Sequence, residues 1–303
     1  MGRGRGQTRP PHPVGRPGLT TPMLDKRLIL ISGKGGVGKS AVAAGLALLG
    51  QRRGLRVLAM EMDSPGGLSA HFGTGPLEFE PREVRPGLHA MQMVRSDALL
   101  EYLALQLNIK GMSRLGALAR AFDALATTAP GIREIITIGK AVWEVREDRW
   151  DVVIADAPPT GQIGSFLRAP VTISELVPTG RIRTQADFMS ETLKDPKLTE
   201  LILMCLPEEL PVTETEETMR WLAKEDLVTK PRVIANRVLE ELTDPDTPPG
   251  PVGEAAALHR SWWQEQQHWL DRLPPDHSLP YLYGLFTPGE VAAHMADELE
   301  AIA

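Results

Sequence analysis

Cysteine is nearly absent from this chain of 303 residues, with Cys205 standing alone. No intrachain disulfide can form, and no cysteine pair exists to hold zinc or an iron–sulfur cluster. Such usage suits a reducing cytoplasm. Long apolar runs are missing too: none approaches the roughly 18 residues that cross a bilayer as a helix, which argues against integral membrane insertion. Excess basic charge is also lacking. Thirty-three Lys and Arg stand against 39 Asp and Glu, a formal net charge of −6, whereas a nonspecific grip on nucleic acid calls for the opposite balance. Residues 1–22 have no apolar face and no core of a secretory signal. Arg3, Arg5, Arg9 and Arg16 alternate there with glycine and proline, the pattern of a disordered basic tail. Met23 lies just upstream of the first apolar run, so the tail is either dispensable or precedes the true start. The remaining 23–303 are enough for one large α/β domain, and a cytoplasmic protein is the default expectation.

The chain is organised around Gly33-Lys34-Gly35-Gly36-Val37-Gly38-Lys39-Ser40, which fits the phosphate-loop spacing G-x-x-x-x-G-K-[ST]. The apolar run Arg27–Ser32 before it has strand length, and Ala41–Leu49 after it is a helix-forming apolar segment. Strand, glycine loop and helix together are the context that makes the pattern a site. Glycines let backbone N–H groups of Gly35, Gly36, Val37 and Gly38 close around an anion, and the helix start adds partial positive charge. Lys39 is placed to reach the β- and γ-phosphates of a nucleotide, and Ser40 to offer its hydroxyl to Mg²⁺.

Further acidic residues end other predicted strands. Arg56–Met60 leads into Glu61-Met62-Asp63, followed by the glycine-rich stretch Ser64–Ser69. A carboxylate at a strand's C-terminal end is where open α/β sheets place their chemistry; Asp63 is either a holder of a Mg²⁺-bound water or an ordinary turn aspartate. Trp150–Ala155 delivers Asp156 in the same way, the placement of the residue that holds Mg²⁺ or its water opposite a phosphate loop. Pro158, Pro159 and Gly161 then form a turn whose shape can follow the γ-phosphate. Strands are also expected at 88–94, 201–206, 232–235 and 278–282, with helices at 96–108, 113–126, 132–147, 213–224 and 288–302, partly helical structure over 168–200, and a loop over 243–251. The leucines at 99, 100, 103 and 107 read as core or as a groove for a hydrophobic client. A helix bearing Leu258, Trp262, Trp263, Trp269 and Leu270 packs on the sheet or meets a partner. Asn236 ends one strand, where its amide can bond a nucleobase. There is no N-K-x-D run for guanine, which favours adenine. The last helix carries Glu290, Asp297, Glu298 and Glu300 with no lysine or arginine of its own to oppose them. Anionic lipid would repel it, where a membrane-targeting helix is basic on one face.

Lys34, after the first glycine, resembles the second lysine of the "deviant" loop KGGxGK[ST] in partition, division-site, nitrogenase-reductase and arsenite-pump ATPases. There it crosses a dimer interface to the other subunit's phosphates; the alternative is a solvated surface lysine. Together Gly33–Ser40, Asp63, Asp156-Ala157-Pro158-Pro159-Thr160-Gly161, Pro207-Glu208 with Thr213–Glu216, and Val233–Asn236 occur in the order and spacing of the arsenite-pump (ArsA) ATPase family, which includes the ATPase for guided entry of tail-anchored membrane proteins. Ala129–Ile132 also resembles the family, and the D-A-P-P-T-G spelling is similar to that of short, actinobacterial-type members, among which paired paralogues are expected. The resemblance runs from about Lys26 to the C-terminus. It implies an α/β, doubly wound, mainly parallel sheet of the SIMIBI class of P-loop NTPases, with a small helical subdomain drawn from 96–147 and 168–200. It implies ATP and Mg²⁺ as cofactors, held between the subunits of a homodimer or of a heterodimer with a paralogous ATPase. Carried over position by position, Lys34 becomes the cross-subunit lysine, Lys39 the phosphate lysine, Ser40 a Mg²⁺ ligand, Asp63 and Asp156 the switch aspartates, and Asn236 the adenine contact.

Three departures bear on function. The family's first switch ends on an aspartate that activates water; here Ala70 stands in that place. General-base help, commonly worth about 10²–10⁴-fold, is then missing unless His71 or Gln162 supplies it. The Cys-x-x-Cys zinc clasp of the eukaryotic tail-anchor factor is absent, and so are the arsenite-binding cysteines. The expected function is a slow or partner-dependent Mg·ATP switch that couples nucleotide state to a protein client. The rivals are a noncatalytic ATP-binding scaffold subunit and a partition-type ATPase; an electron-transferring reductase is excluded by the missing cluster cysteines.

Overall fold

The computed structural model describes residues 22–63, 65–107, 131–242 and 250–303, with backbone alone for 103–107. Among them eight strands form one sheet: β1 (Leu28–Gly33), β2 (Val57–Glu61), β3 (Arg82–Arg85), β4 (Leu88–Gln92), β5 (Val152–Asp156), β6 (Thr199–Cys205), β7 (Arg232–Val238) and β8 (His277–Pro280). Their spatial order is β3-β4-β2-β5-β1-β6-β7-β8. Every neighbouring pair is parallel except β3 with β4. The helices are α1 (Lys39–Arg52), α2 (Gly67–Phe72), α3 (Arg95–Leu107), α4 (Ile132–Arg146), α5 (Thr160–Leu176), α6 (Arg181–Lys194), α7 (Glu209–Glu225), α8 (Pro251–Arg272) and α9 (Pro288–Glu298).

The central strands are apolar without a break because both faces of the sheet are covered. Alternation along each strand still divides their side chains. Ile29, Ile31, Ala59, Ile154 and Ile202 pack with Val42 and Leu46 of α1 and Met295 of α9. Leu28, Leu30, Leu58, Val153 and Leu203 pack with Ile138 of α4, Ile163 and Leu167 of α5, and Leu222 of α7. Helix α1 is buried from Val42 to Gly50, since the sheet lies on one side of it and α2 and α9 on the other. The expected α/β architecture with a mainly parallel, doubly wound sheet is therefore what the chain adopts. Strand β1 sits between β5 and β6, where the winding reverses direction. The crevice at the carboxyl ends of such strands is where open α/β sheets bind ligands.

Several boundaries differ from expectation, each for a local reason. Helix α7 begins at Glu209 rather than near 213, because Pro211 falls in its first turn, where a missing N–H costs nothing. The helical structure expected from 168 starts at Thr160, since the buried Pro170 lies within α5 instead of ending it. Helix α8 starts at Pro251, the last residue of the expected 243–251 loop, because proline suits the first helical position. The last helix ends at Glu298 instead of 302. Strand β3 was not anticipated: Arg-Glu-Val-Arg at an exposed sheet edge has no apolar alternation to betray it. In α8 no residue is fully buried; Trp269 packs against Cys205, Val212 and Val233 while Trp262 faces outward, 55% exposed. The basic tail, the helix expected at 113–126 and residues 243–249 of the proline-rich loop lie outside the described residues.

The Ile154 side chain is wholly buried between β1 and β2. Ile154→Ala should lower the unfolding free energy by about 2–5 kcal/mol, measured by urea denaturation at unchanged m-value.

Candidate nucleotide site

The carboxyl ends of β1, β2, β5 and β7 bring together the residues singled out from their distant stretches of sequence. After β1 the chain runs through Lys34–Gly38 and turns into α1, whose first residues are Lys39 and Ser40. Gly38 is the residue before the helix, with φ of 96°, in the left-handed region that only glycine enters without strain. A Cβ there would also lie 2.3 Å from Asn236 Nδ2. Gly35 and Gly36 are exposed, and a Cβ on either would meet nothing within 4 Å, so the loop's backbone is open to an incoming ligand. That geometry and the start of α1 fit an anion such as a nucleotide's phosphates.

Lys39 turns back along the loop and donates to the Lys34 carbonyl at 3.2 Å. Burial pushes its ammonium pKa down, with Asp156 and Asp63 opposing. Ser40 Oγ donates to Asp156 Oδ2 at 2.5 Å. Burial pushes the Asp156 carboxyl up to about 6, against the hydrogen bond from Ser40 and the charge of Lys39; the nearby negative charges of Glu61 and Asp63 push the same way. Asp63 lies 3.9 Å from Arg95 Nη2. Three carboxylates thus crowd one lysine and one hydroxyl, which is a donor set short of positive charge. Among the described residues no three His, Cys, Asp or Glu side chains form a self-sufficient cation cage. The set therefore fits an ion that arrives with most of its ligands, as Mg²⁺ does with phosphates and water.

Glu61 was overlooked in the sequence. It is 2% exposed and accepts hydrogen bonds from the N–H groups of Leu68 (2.6 Å) and Gly66 (3.2 Å). It thereby pins the start of α2 to β2. The pinned segment sits close over Ser40: a Cβ on Gly67 would come 2.6 Å from Ser40 Oγ. The only clue available was a carboxylate at a strand end before a glycine-rich stretch. On α2, Ala70 is exposed and offers only backbone, and its neighbour His71 commits Nδ1 to the Gly67 carbonyl at 2.6 Å. Gln162 is exposed in the first turn of α5, its N–H bonded to the Pro159 carbonyl.

The turn after Asp156 is tied into β1. Ser32 Oγ donates to the Pro158 carbonyl at 2.6 Å, and the next residues lead into Thr160 at the head of α5. Asn236 is 6% exposed. Its Nδ2 donates to the Val37 carbonyl and its Oδ1 accepts from Arg237 N–H, both at 2.9 Å. Nδ2 thus braces the loop from the β7 side, while Oδ1 is held by the backbone of its own strand. Lys34 forms an ion pair with Glu214 of α7 in the same chain, a partner quoted in the sequence pattern but given no role there. Cys205 is buried, and that burial raises its thiol pKa to about 11, the wrong direction for a thiolate that binds soft oxyanions.

A folded-state pKa of about 6 at Asp156, against an ordinary 3.8, means that the folded chain holds this proton more tightly than the unfolded one. Its contribution to stability is therefore lost as pH rises from about 4 to about 6, by at most roughly 3 kcal/mol. Asp156→Asn should melt a few degrees above the unsubstituted chain at pH 8 without metal or nucleotide, and that gap should close near pH 4; differential scanning calorimetry across pH checks this.

Residues 26–184 and 179–277 match the family described as anion-transporting ATPase. ATPase BagA of Mycobacterium tuberculosis is 32% identical over 246 residues, covering 76% of this chain and 71% of its own. ATPase GET3 of Podospora anserina is 26% identical over 252 residues, covering 70% and 73%. An ATPase ASNA1 homolog of Babesia bovis is 25% identical over 248 residues, covering 71% and 67%.

Proposed function

The chain belongs to the anion-transporting ATPase family, and we propose that it acts as a slow, cytoplasmic, Mg·ATP-dependent switch built from two subunits. The observation that carries this reading is the meeting of the Gly33–Ser40 loop with Asp63 and Asp156 at one end of the sheet. Here the backbone of Gly35–Ser40 holds the phosphates and Lys39 moves from the Lys34 carbonyl to the γ-phosphate. Ser40 and Asp156, bonded to each other here, would hold the ion directly or through its water. Mg²⁺, when bound, neutralises phosphate charge and orients the terminal group. Asp63 holds a water at the rim, and Asn236 keeps the loop in shape beside the adenine. Lys34 reaches the partner subunit's nucleotide, the partner being a second copy or a paralogue.

The turn after Asp156 supplies a route outward. It enters α5 directly, and Ile173 near the far end of α5 lines an apolar cavity of about 460 Å³. The cavity is walled by Ile135, Trp143, Ile182, Phe188 and Met189 of α4 and α6. Ile182 and Phe188 are 50% and 37% exposed, an apolar surface that favours an apolar partner. We assign this helical side of the molecule to the client and the movement of α5 to the coupling. Among the described residues no helix is long and apolar enough to cross a membrane.

The test is single-turnover ATP hydrolysis. Lys39→Ala should lower both nucleotide affinity and rate at least tenfold, since it removes the charge facing the transferring phosphate. A rate unchanged by that substitution leaves only the scaffold reading, for which the missing acceptor at Ala70 is the specific argument. Ala70→Asp should restore a proton acceptor and raise the rate by about 10²-fold or more, at unchanged melting temperature; no gain would mean that water activation does not limit this chain.

A further inference from the structure

We propose that Glu214 is a positioning residue for Lys34, a latch that holds the lysine inside its own subunit until a partner's nucleotide takes it over. The inference rests on the two-subunit reading of Lys34 given above. Lys34 follows the first glycine of the loop, and its ammonium forms an ion pair with Glu214 Oε1 across 180 residues of sequence. The pair is half-buried, with 33% of the lysine side chain and 39% of the glutamate side chain exposed. Glu214 is also bound from the other side: Thr160 Oγ1 donates to its Oε2 at 3.3 Å. Thr160 is the first residue of α5 and directly follows Pro158 and Pro159, the turn fastened to β1 through Ser32.

One carboxylate therefore bridges three parts: the loop lysine, the switch after Asp156, and α7. Its two oxygens serve different masters, and that has a consequence for pairing. A lysine that is to insert into another subunit's phosphates must first give up Glu214. A movement of the Pro158–Thr160 turn toward a γ-phosphate withdraws the Thr160 hydroxyl from Oε2, leaving Glu214 less firmly oriented and Lys34 easier to release. A partly solvated ion pair of this kind is worth only a few-fold in an equilibrium. The latch can thus be weak enough for nucleotide to open and strong enough to discourage pairing of empty subunits. In a dimer both latches must open, so the effect on association counts twice.

The experiment uses the full chain with Glu214→Gln, alone and combined with Lys34→Ala. Without nucleotide, the acylation rate of the Lys34 amine is followed by peptide mass spectrometry, with Lys224 as internal reference. Glu214→Gln should speed modification of Lys34 about threefold or more, the scale of an exposed pair, at unchanged melting temperature. Thr160→Val should speed it less. With Mg²⁺ and a nonhydrolysable ATP analogue, sedimentation should show the dimer dissociation constant falling roughly 3- to 30-fold in Glu214→Gln, two such pairs being released. The same substitution should have no effect in the Lys34→Ala background. Unchanged Lys34 reactivity overturns the latch, as does an effect of Glu214→Gln that persists without Lys34. If Lys34→Ala alone leaves nucleotide-dependent pairing untouched, the cross-subunit role of Lys34 fails and the latch with it. If the unsubstituted chain never pairs with itself, pairing of identical copies fails, while the acylation rates still decide whether Glu214 holds the lysine.

Discussion

A carboxylate buried among other carboxylates sets the terms for this molecule. Asp156 ends the strand beside β1 and answers the Ser40 hydroxyl across 2.5 Å. Glu61 and Asp63 press on it from β2, and Lys39 is the cation whose charge opposes them. Burial and like charge both favour the protonated acid. A further cation at this edge would favour the ionised form of Asp156 in the same way that Lys39 does. The charge balance at this edge is what supports the proposed binding of a nucleotide that brings its own cation.

The sheet explains why these groups meet at all. Strands β1, β2 and β5 are parallel neighbours, with Ile31 and Glu61 both in register with Asp156. Their ends, and the residues just beyond, must share one edge. Buried faces on both sides hold that register, because a slip of one residue would turn every apolar side chain to the wrong layer. Around this rigid floor lie parts tied by single polar contacts: α2 through Glu61, the Pro158 turn through Ser32, the loop through Asn236, and Lys34 through Glu214. Such contacts are individually modest and can be exchanged for contacts with phosphate. A stiff core with exchangeable ties is a physical basis for a switch.

Much of this was legible in the chain because the signals are local. The glycine loop lies between a strand-length apolar run and a helix former, and Asp63, Asp156 and Asn236 each follow β-branched or apolar runs that had to be strands. That these residues gather at one edge of the sheet could be read in that way, but their bonding to one another could not. Nothing local to Glu214 says that it reaches Lys34 rather than solvent, and nothing local to Glu61 says that it turns onto the N–H groups of Gly66 and Leu68. The start of α5 was less legible: helical structure was expected only from 168, yet the helix begins at Thr160 and runs on through the buried Pro170.

Sequence alone determined the α/β class, the phosphate loop and the identity of the acidic strand ends, since periodicity and glycine placement are properties of a few adjacent residues. Tertiary structure decided which charges face one another: the 2.5 Å contact of Ser40 with Asp156, the crowding that lifts the Asp156 pKa, and the partner of Lys34. Those outcomes depend on distances between segments far apart in the chain, and on the low polarisability of the interior between them.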